Sequence, residues 1–219
     1  MAVSDSQNKT SDVSNLDSTA CAACRLPHTH CTCALRRRRR VSAGVCLIYH
    51  AEEPGRSSNT GHLVEECIEP VFSYVWSRTR VPEGLLELLV RPEWTPQLVF
   101  PGEYRAASQS VSSHCIASPG QAPLLVVIDA TWNQARKILR HSPYLQQLPC
   151  VSLDPPGPSR YRLRRSRRAD HLCTAEVVEL CLNQLGEEAA ARGLGSYLDR
   201  YSEAWLAARD NLPRPAADQ

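Results

Sequence analysis

The stretch that most limits how this chain can fold is Leu124–Arg140, LLVVIDATWNQARKILR. Its first part, Leu124–Ile128, is apolar without alternation, the pattern of a strand covered on both faces in the middle of a parallel sheet. Asp129 then stands at the carboxyl end of that strand, the edge at which open α/β sheets bind ligands. Thr131 followed by Gln134 forms a capping box, so a helix is expected to begin at Trp132. Ala135, Ile138 and Leu139 supply its apolar side, and Pro143 stops it. Arg136, Lys137 and Arg140 suit its carboxyl end. The pattern therefore points Asp129 and Thr131 into a strand-to-helix turn. The plainer alternative is that Asp129 only helps to cap the helix.

With 219 residues the chain has enough material for one large domain, or a domain with a small appendage. Its 25 Lys and Arg against 23 Asp and Glu nearly cancel, so only the distribution of charge is informative about partners. No apolar run approaches the roughly 18 residues of a membrane span, and the polar start lacks the features of a signal peptide. We expect a cytoplasmic protein that does not touch membranes, with a disordered leader over 1–18. The ten cysteines are then to be read as metal-binding or core residues rather than disulfides.

Four of them, Cys21, Cys24, Cys31 and Cys33, form a C-x2-C-x6-C-x-C cluster. Such spacing suits tetrahedral zinc, whose binding would supply the folding energy that so short a segment lacks. His28 and His30, inside the loop, are alternative ligands. Directly after comes the run Arg36–Arg40. A charge run is usually a solvated face, but beside a zinc knuckle it reads as a phosphate-facing strip, with Arg36, Arg37 and Arg38 as RNA contacts.

Val41–His50 reads as a first buried strand ending in a polar loop, and Thr60 as the cap of a helix carrying Leu63, Val64, Cys67 and Ile68. Asn59 and Thr60 belong to the polar group at that strand tip and are further candidates for RNA contact. Strands are expected at Val71–Trp76, Gln97–Phe100 and Cys150–Leu153, a short helix at Pro82–Val90, and weak helicity over Tyr104–Ser113. Pro101-Gly102 marks a turn at which backbone can approach a ligand closely. Residues 160–168 hold six arginines in nine positions, with Tyr161 among them. Alternating arginine could be an edge strand, yet arginine with an aromatic also suits phosphate and base contact, which brings in Tyr161, Arg162, Arg164 and Arg165. Two long helices, Thr174–Arg192 and Gly195–Arg209, close the chain.

Taken in order, several motifs resemble one family. They are the four cysteines, Ser58-Asn59-Thr60-Gly61, Phe100-Pro101-Gly102-Glu103, Asp129-Ala130-Thr131-Trp132 with Ala135-Arg136-Lys137, Tyr161–Arg165, and Leu172–Glu176. The set, spanning about residues 21–205, resembles the DTW-domain family, named for its D-x-T-W motif, whose members include tRNA-uridine aminocarboxypropyltransferases. The resemblance implies a catalytic domain over 41–210, preceded by a zinc knuckle and basic strip over 19–40 and followed by a disordered tail over 211–219. It implies an α/β fold, a mostly parallel sheet flanked by helices, related to the SPOUT class with its trefoil knot, which sequence pattern alone would never suggest.

The activity implied is transfer of the 3-amino-3-carboxypropyl group of S-adenosylmethionine to a uridine ring nitrogen of tRNA, in the variable loop by the form of the motifs or in the D loop as in other relatives. Methylthioadenosine is released. The acceptor nitrogen must lose a proton, and Asp129 is the expected base, a carboxylate whose pKa a partly dry crevice can raise. Thr131 would orient it or the uracil, and Trp132 would stack on a base or the adenine unless it is core. The expected cofactor walls are Pro101 and Gly102, Leu153 and Pro155, and Leu172, Thr174 and Glu176. Arg136 or an arginine of the 160–168 cluster is expected to hold the cofactor carboxylate or an RNA phosphate. The partner is tRNA rather than DNA, and the protein a monomer. Alternatives are a methyltransferase with the same cofactor reversed, and a noncatalytic zinc-knuckle RNA-binding protein.

Overall fold

A computed structural model describes residues 20–163 and 171–215. In chain order the strands and helices are β1 (Arg39–Tyr49), α1 (Gly61–Cys67), β2 (Ile68–Val75), α2 (Leu85–Leu89), β3 (Trp94–Val99) and β4 (Val111–Ser112). They are followed by β5 (Ala122–Asp129), α3 (Trp132–Arg140), α4 (Pro143–Gln146), β6 (Cys150–Val151), α5 (Thr174–Gln184) and α6 (Glu188–Arg209). The strands make one parallel sheet in the order β2-β1-β5-β3-β6-β4. The expected fold class, a parallel sheet flanked by helices, is what the chain adopts.

β1 and β5 are central and apolar on both faces, and successive residues feed opposite layers. Val45, Leu47, Leu125 and Val127 pack under α1, α5 and α6. Cys46, Ile48, Leu124, Val126 and Ile128 pack over α2, α3 and α4. All strands point the same way, so every strand tip opens on one edge of the sheet, and the loops leaving those tips define a single functional face.

The cysteine loop is docked on the first of these layers: Cys24 and Leu26 are buried in it. The Tyr201 hydroxyl of α6 lies 3.0 Å from the Cys24 carbonyl and 2.6 Å from that of Ser57. Of the expected tail, residues 211–215 lie against the same loop, through Leu212 carbonyl to His30 at 2.9 Å and Arg214 to the Cys31 carbonyl at 3.1 Å. The expected leader lies outside the described residues. So does the path between Leu163 and His171, and with it the knot that the resemblance implies.

Two elements differ from expectation. Tyr104–Ser113 is not helical: a single 3-10 turn over Gly102–Tyr104 gives way to β4, an edge strand paired with β6. Lacking apolar periodicity, the segment pairs its backbone with β6 instead. The terminal helices break at Gly186 rather than near Gly193. Gly186 has φ +76°, its amide donates to Asn183 at 3.1 Å, and the Glu187 amide donates to Leu182 at 2.9 Å, a Schellman closure. Gly195 instead sits inside α6, where a Cβ would lie 2.8 Å from Arg160 Nη2 and closer still to Glu179. That glycine permits close approach, not a helix end.

Candidate active site

At the tip of β5, Asp129 is only 3% exposed. Its carboxylate accepts from Asn59 Nδ2, which also donates to the buried Glu53 at 3.2 Å. Asn59 Oδ1 in turn accepts from the Gly61 and His62 amides at the start of α1, at 3.0 and 3.3 Å. One amide side chain thus ties the β5 tip, the loop leaving β1 and the first turn of α1. A Cβ at Gly61 would lie 2.7 Å from the Tyr49 hydroxyl and closer still to Asp129 Oδ2, so the contact requires glycine. Burial first, and then the Asp129 carboxylate, push the Tyr49 phenol up from its ordinary pKa.

The next residues of the motif serve α3. The Gln134 side-chain oxygen accepts from the Thr131 amide and hydroxyl at 3.0 and 2.7 Å, so the expected capping box forms. The exposed Thr131 hydroxyl donates to this cap. Trp132 turns into the cleft. Its ring lies over His171 with centroids 4.1 Å apart, and 6.0 and 6.5 Å from Phe100 and Tyr104.

Beneath this aromatic group an apolar pocket of about 100 Å³ opens between the tips of β3 and β5. Its walls include Val99, Ile128, Trp132 and Val177, together with five residues expected around a cofactor: Pro101, Leu153, Pro155, Leu172 and Thr174. An open cleft of about 710 Å³ adjoins it across Pro101, Trp132, Leu153 and Pro155, and is lined further by Gly102, Glu103, Tyr104, Asp154 and His171. Such a small apolar pocket beside a larger polar cleft is how a site grips one ligand and admits a second. Asp129 faces α1 and lines neither.

Glu176, expected as a wall, is 5% exposed and works beside the pocket. Its carboxylate accepts from Ser159 Oγ at 2.7 Å and from the Arg160 and Cys173 amides at 2.8 Å, capping α5 and fastening the loop after β6. Gly102 donates its amide to Ser152 Oγ at 2.9 Å.

The expected RNA contacts scatter. Asn59 and Thr60 are 2% and 4% exposed; Thr60 Oγ1 accepts from the Ala175 amide at 3.2 Å, and both act inside the fold rather than on its surface. Tyr161 is half-buried and its hydroxyl donates to the Ser58 carbonyl. Arg36, Arg37 and Arg38 lie before β1, at the amino edge of the sheet, about 30 Å from the strand tips by the rise of an eleven-residue strand. Arg36 pairs with Glu66 at 3.6 Å and Arg38 with Glu69 at 3.7 Å. Arg162 is exposed, whereas Arg164 and Arg165 lie outside the described residues. Arg136 alone stands next to the aromatic group, its guanidinium 5.4 Å from the Tyr104 ring. Sequence reasoning missed Tyr104, Asp154 and His171; Pro101-Gly102 and Pro155 marked their loops, though not those side chains.

The four cysteine thiols converge. Cys21 and Cys33 Sγ are 3.6 Å apart, Cys24 and Cys31 Sγ 3.7 Å, and all four lie within 4.8 Å of one another. Four sulfurs at about 2.3 Å from a central zinc would be about 3.8 Å apart, so the set fits that ion. Donation from the Cys24 and Ala23 amides holds the Cys21 thiol at about 6, a knuckle ready to present thiolate. Burial pushes the Cys24 and Cys33 thiols up.

Residues 18–206 match the family model described as the DTW domain. The chain belongs to the DTW-domain family. A relative from Drosophila melanogaster, tRNA-uridine aminocarboxypropyltransferase 2, is 29% identical over 169 residues, covering 74% of this chain. The chain covers 64% of the length of that relative. No solved structure matches significantly. Within this DTW domain the signature residues divide their work: Asp129 holds α1, Thr131 caps α3, and Trp132 roofs the pocket. Among the described residues no helix is long and apolar enough to cross a membrane.

Proposed function

We propose that this chain transfers the 3-amino-3-carboxypropyl group of S-adenosylmethionine to a uridine ring nitrogen of tRNA. The observation that carries the reading is the apolar pocket at the strand tips, walled by Pro101, Leu153, Pro155, Leu172 and Thr174 in a DTW-domain chain. Its apolar lining suits an adenine, and the adjoining cleft with Glu103, Asp154 and His171 suits the amino-acid arm and the uracil. S-adenosylmethionine, when bound, supplies a propyl carbon made electrophilic by the sulfonium: the uridine nitrogen bonds to it, the carbon–sulfur bond breaks with its electron pair staying on sulfur, and methylthioadenosine leaves.

The chain must then hold both partners in line and take the nitrogen's proton. The stacked pair of Trp132 and His171 offers an outer ring face against which the uracil stacks. The proton acceptor must reach the cleft, and Asp154 lines it with no ion pair among the described residues. Asp154 rather than the buried Asp129 therefore takes the proton in this reading. Zinc at Cys21, Cys24, Cys31 and Cys33 is structural, since that cluster packs on α6 and not into the cleft. The same reading takes tRNA, not DNA, as polymer, its variable-loop uridine as target, and a cytoplasmic monomer as working unit.

The test is incubation of the protein and unmodified tRNA with S-adenosylmethionine labelled either in the methyl group or in the amino-acid arm. Arm label in tRNA with methylthioadenosine released is the expected result. Methyl label in tRNA would make the protein a methyltransferase, and no label from either would refute the enzyme reading.

A further inference from the structure

The exposed face of α3 carries Arg136 and Arg140 one turn apart, with Lys137 and His141 on the adjoining row. Arg105, from the turn after β3, stands beside them, and the three arginines line a groove of about 310 Å³ with Tyr104, Leu139 and Gln146. Two of these cations are held in place by uncharged groups. Arg105 donates to the Gly102 carbonyl at 3.0 Å, and Arg136 donates to Asn133 at 2.7 Å while lying over the Tyr104 ring. A guanidinium has five N–H donors, so each keeps donors for a ligand.

Charge balance distinguishes this groove in part from the other basic clusters, in which Arg37 and Arg39 have no carboxylate among the described residues but most of their neighbours do. Arg36, Arg38, Arg40, Arg56 and Arg160 all have carboxylates within ion-pair distance. Among the described residues Arg105, Arg136, Lys137 and Arg140 have none. Desolvation, followed by the charges of Arg78, Arg140 and Lys137, depresses the pKa of His141 and favours its neutral form, and Arg78 thus lies near the same ridge. Arg37, Arg39, Arg78, Arg80, Arg91 and Arg162 are likewise without a carboxylate among the described residues, so it is the grouping of Arg105, Arg136 and Arg140 around one groove that marks the site.

Location adds the second argument. Tyr104 belongs both to the groove and to the cleft, and its ring is 6.5 Å from Trp132. Cation, ring and pocket thus follow one another across the surface, the order of phosphate, base and reacting atom in a bound nucleotide. The run Arg36–Arg40 has no such neighbour, being at the opposite edge of the sheet.

We propose that Arg105, Arg136, Lys137 and Arg140 form the phosphate-docking surface for RNA, which delivers one base past Tyr104 onto Trp132. This rests on the reading that RNA is the substrate. Each phosphate that a cation neutralises adds about 0.7 to 0.9 to the steepness with which log K falls against log salt, so deleting such a cation flattens the slope and weakens binding regardless of sequence.

The experiment measures binding of fluorescein-labelled unmodified tRNA by anisotropy across a potassium chloride series, without S-adenosylmethionine. Four proteins are compared: the full chain, the variant Arg105→Gln/Lys137→Gln/Arg140→Gln, the variant Arg38→Gln/Arg39→Gln/Arg40→Gln, and Arg105→Lys/Arg140→Lys. The groove variant is expected to bind about tenfold or more weakly at fixed salt, with a salt slope shallower by about 2. The amino-edge variant is expected to stay near the unmodified protein. Arg105→Lys/Arg140→Lys, which keeps the charge, is expected to retain the salt slope. Equal affinity and slope for the groove variant, a larger loss at the amino edge, or no binding by the unmodified protein would each overturn the proposal. Absence of group transfer alongside intact binding would instead refute the enzyme reading and leave the groove standing.

Discussion

Acid should loosen this fold through a single ring. His62, on α1, is 2% exposed, and neither ring nitrogen has a hydrogen-bond partner among the described residues. Its ring packs edge-on against Tyr201, centroids 5.3 Å apart. Burial, helped by the nearby positive charge of Arg25, holds its pKa down at about 3 against the usual 6.5. The unfolded chain takes up a proton near 6.5 that the native state refuses, so the stability stays whole above pH 6.5 and drains away as pH falls toward 3. At pH 5 the solution is about 1.5 pH units below the unfolded value, and at about 1.36 kcal/mol per unit the fold is weaker by about 2 kcal/mol. For a domain of this size that corresponds to a fall of about 4–8 °C in Tm. The assay is urea unfolding of the unmodified protein and of His62→Phe at pH 7.5 and pH 5. The variant keeps the ring and loses the titration, so its drop between the two pH values should be smaller by about 2 kcal/mol. Equal drops in the two proteins would refute the reasoning, because the loss would then belong to other groups.

Four further outcomes follow from particular contacts. Stripping metal with a strong chelator should release one zinc per chain, read by a colorimetric indicator, and lower Tm, because Cys24 and Leu26 are part of the core that the loop covers. Gly61→Ala should cost about 1–3 kcal/mol in urea unfolding, since the added methyl meets Tyr49 and Asp129; an unchanged midpoint would contradict the packing. Val177→Phe fills the apolar pocket and should abolish calorimetric binding of S-adenosylmethionine while leaving tRNA affinity as it was. Asp129→Asn should lower Tm and leave the pH profile of kcat in place, whereas Asp154→Asn should lower kcat and alter that profile with Tm unmoved; the opposite pairing would restore Asp129 as the base.

The parts of this site that could be read from the sequence are those set by near neighbours. β5 and α3 follow from an uninterrupted apolar run and a capping box, both local patterns, and they form as expected. Of the five pocket walls, Pro101, Leu172 and Thr174 fall in the family motifs and Leu153 and Pro155 in the loop after β6, and they meet because all strands run parallel. The rest depends on direction and depth. Arg36–Arg38 follow the cysteines directly in sequence, but the strand that begins there carries the chain away from them, so the run ends at the far edge. Asn59, Thr60 and Tyr161 are polar and close to a motif, and nothing local reveals that their partners are Asp129, the Ala175 amide and the Ser58 carbonyl, up to 115 residues away. The same limit hid the groove: Arg105 and Arg140 are ordinary surface arginines until β3 and α3 are laid side by side.

The signature Asp-Ala-Thr-Trp has an architectural part whatever its part in the chemistry. Three of its four residues each settle a different junction: Asp129 to α1 through Asn59, Thr131 to α3 through Gln134, and Trp132 to the pocket roof. Gln134 extends the network by donating to Glu52 at 3.2 Å, and Arg56 pairs with both Glu52 and Glu53, so the loop leaving β1 is fixed from two sides. A displacement reaction asks chiefly for held geometry, and a motif that locks three elements around one strand tip provides it. On the proposed reading the motif residues set positions, while Asp154, His171 and the α3 cations are the groups assigned to meet substrate.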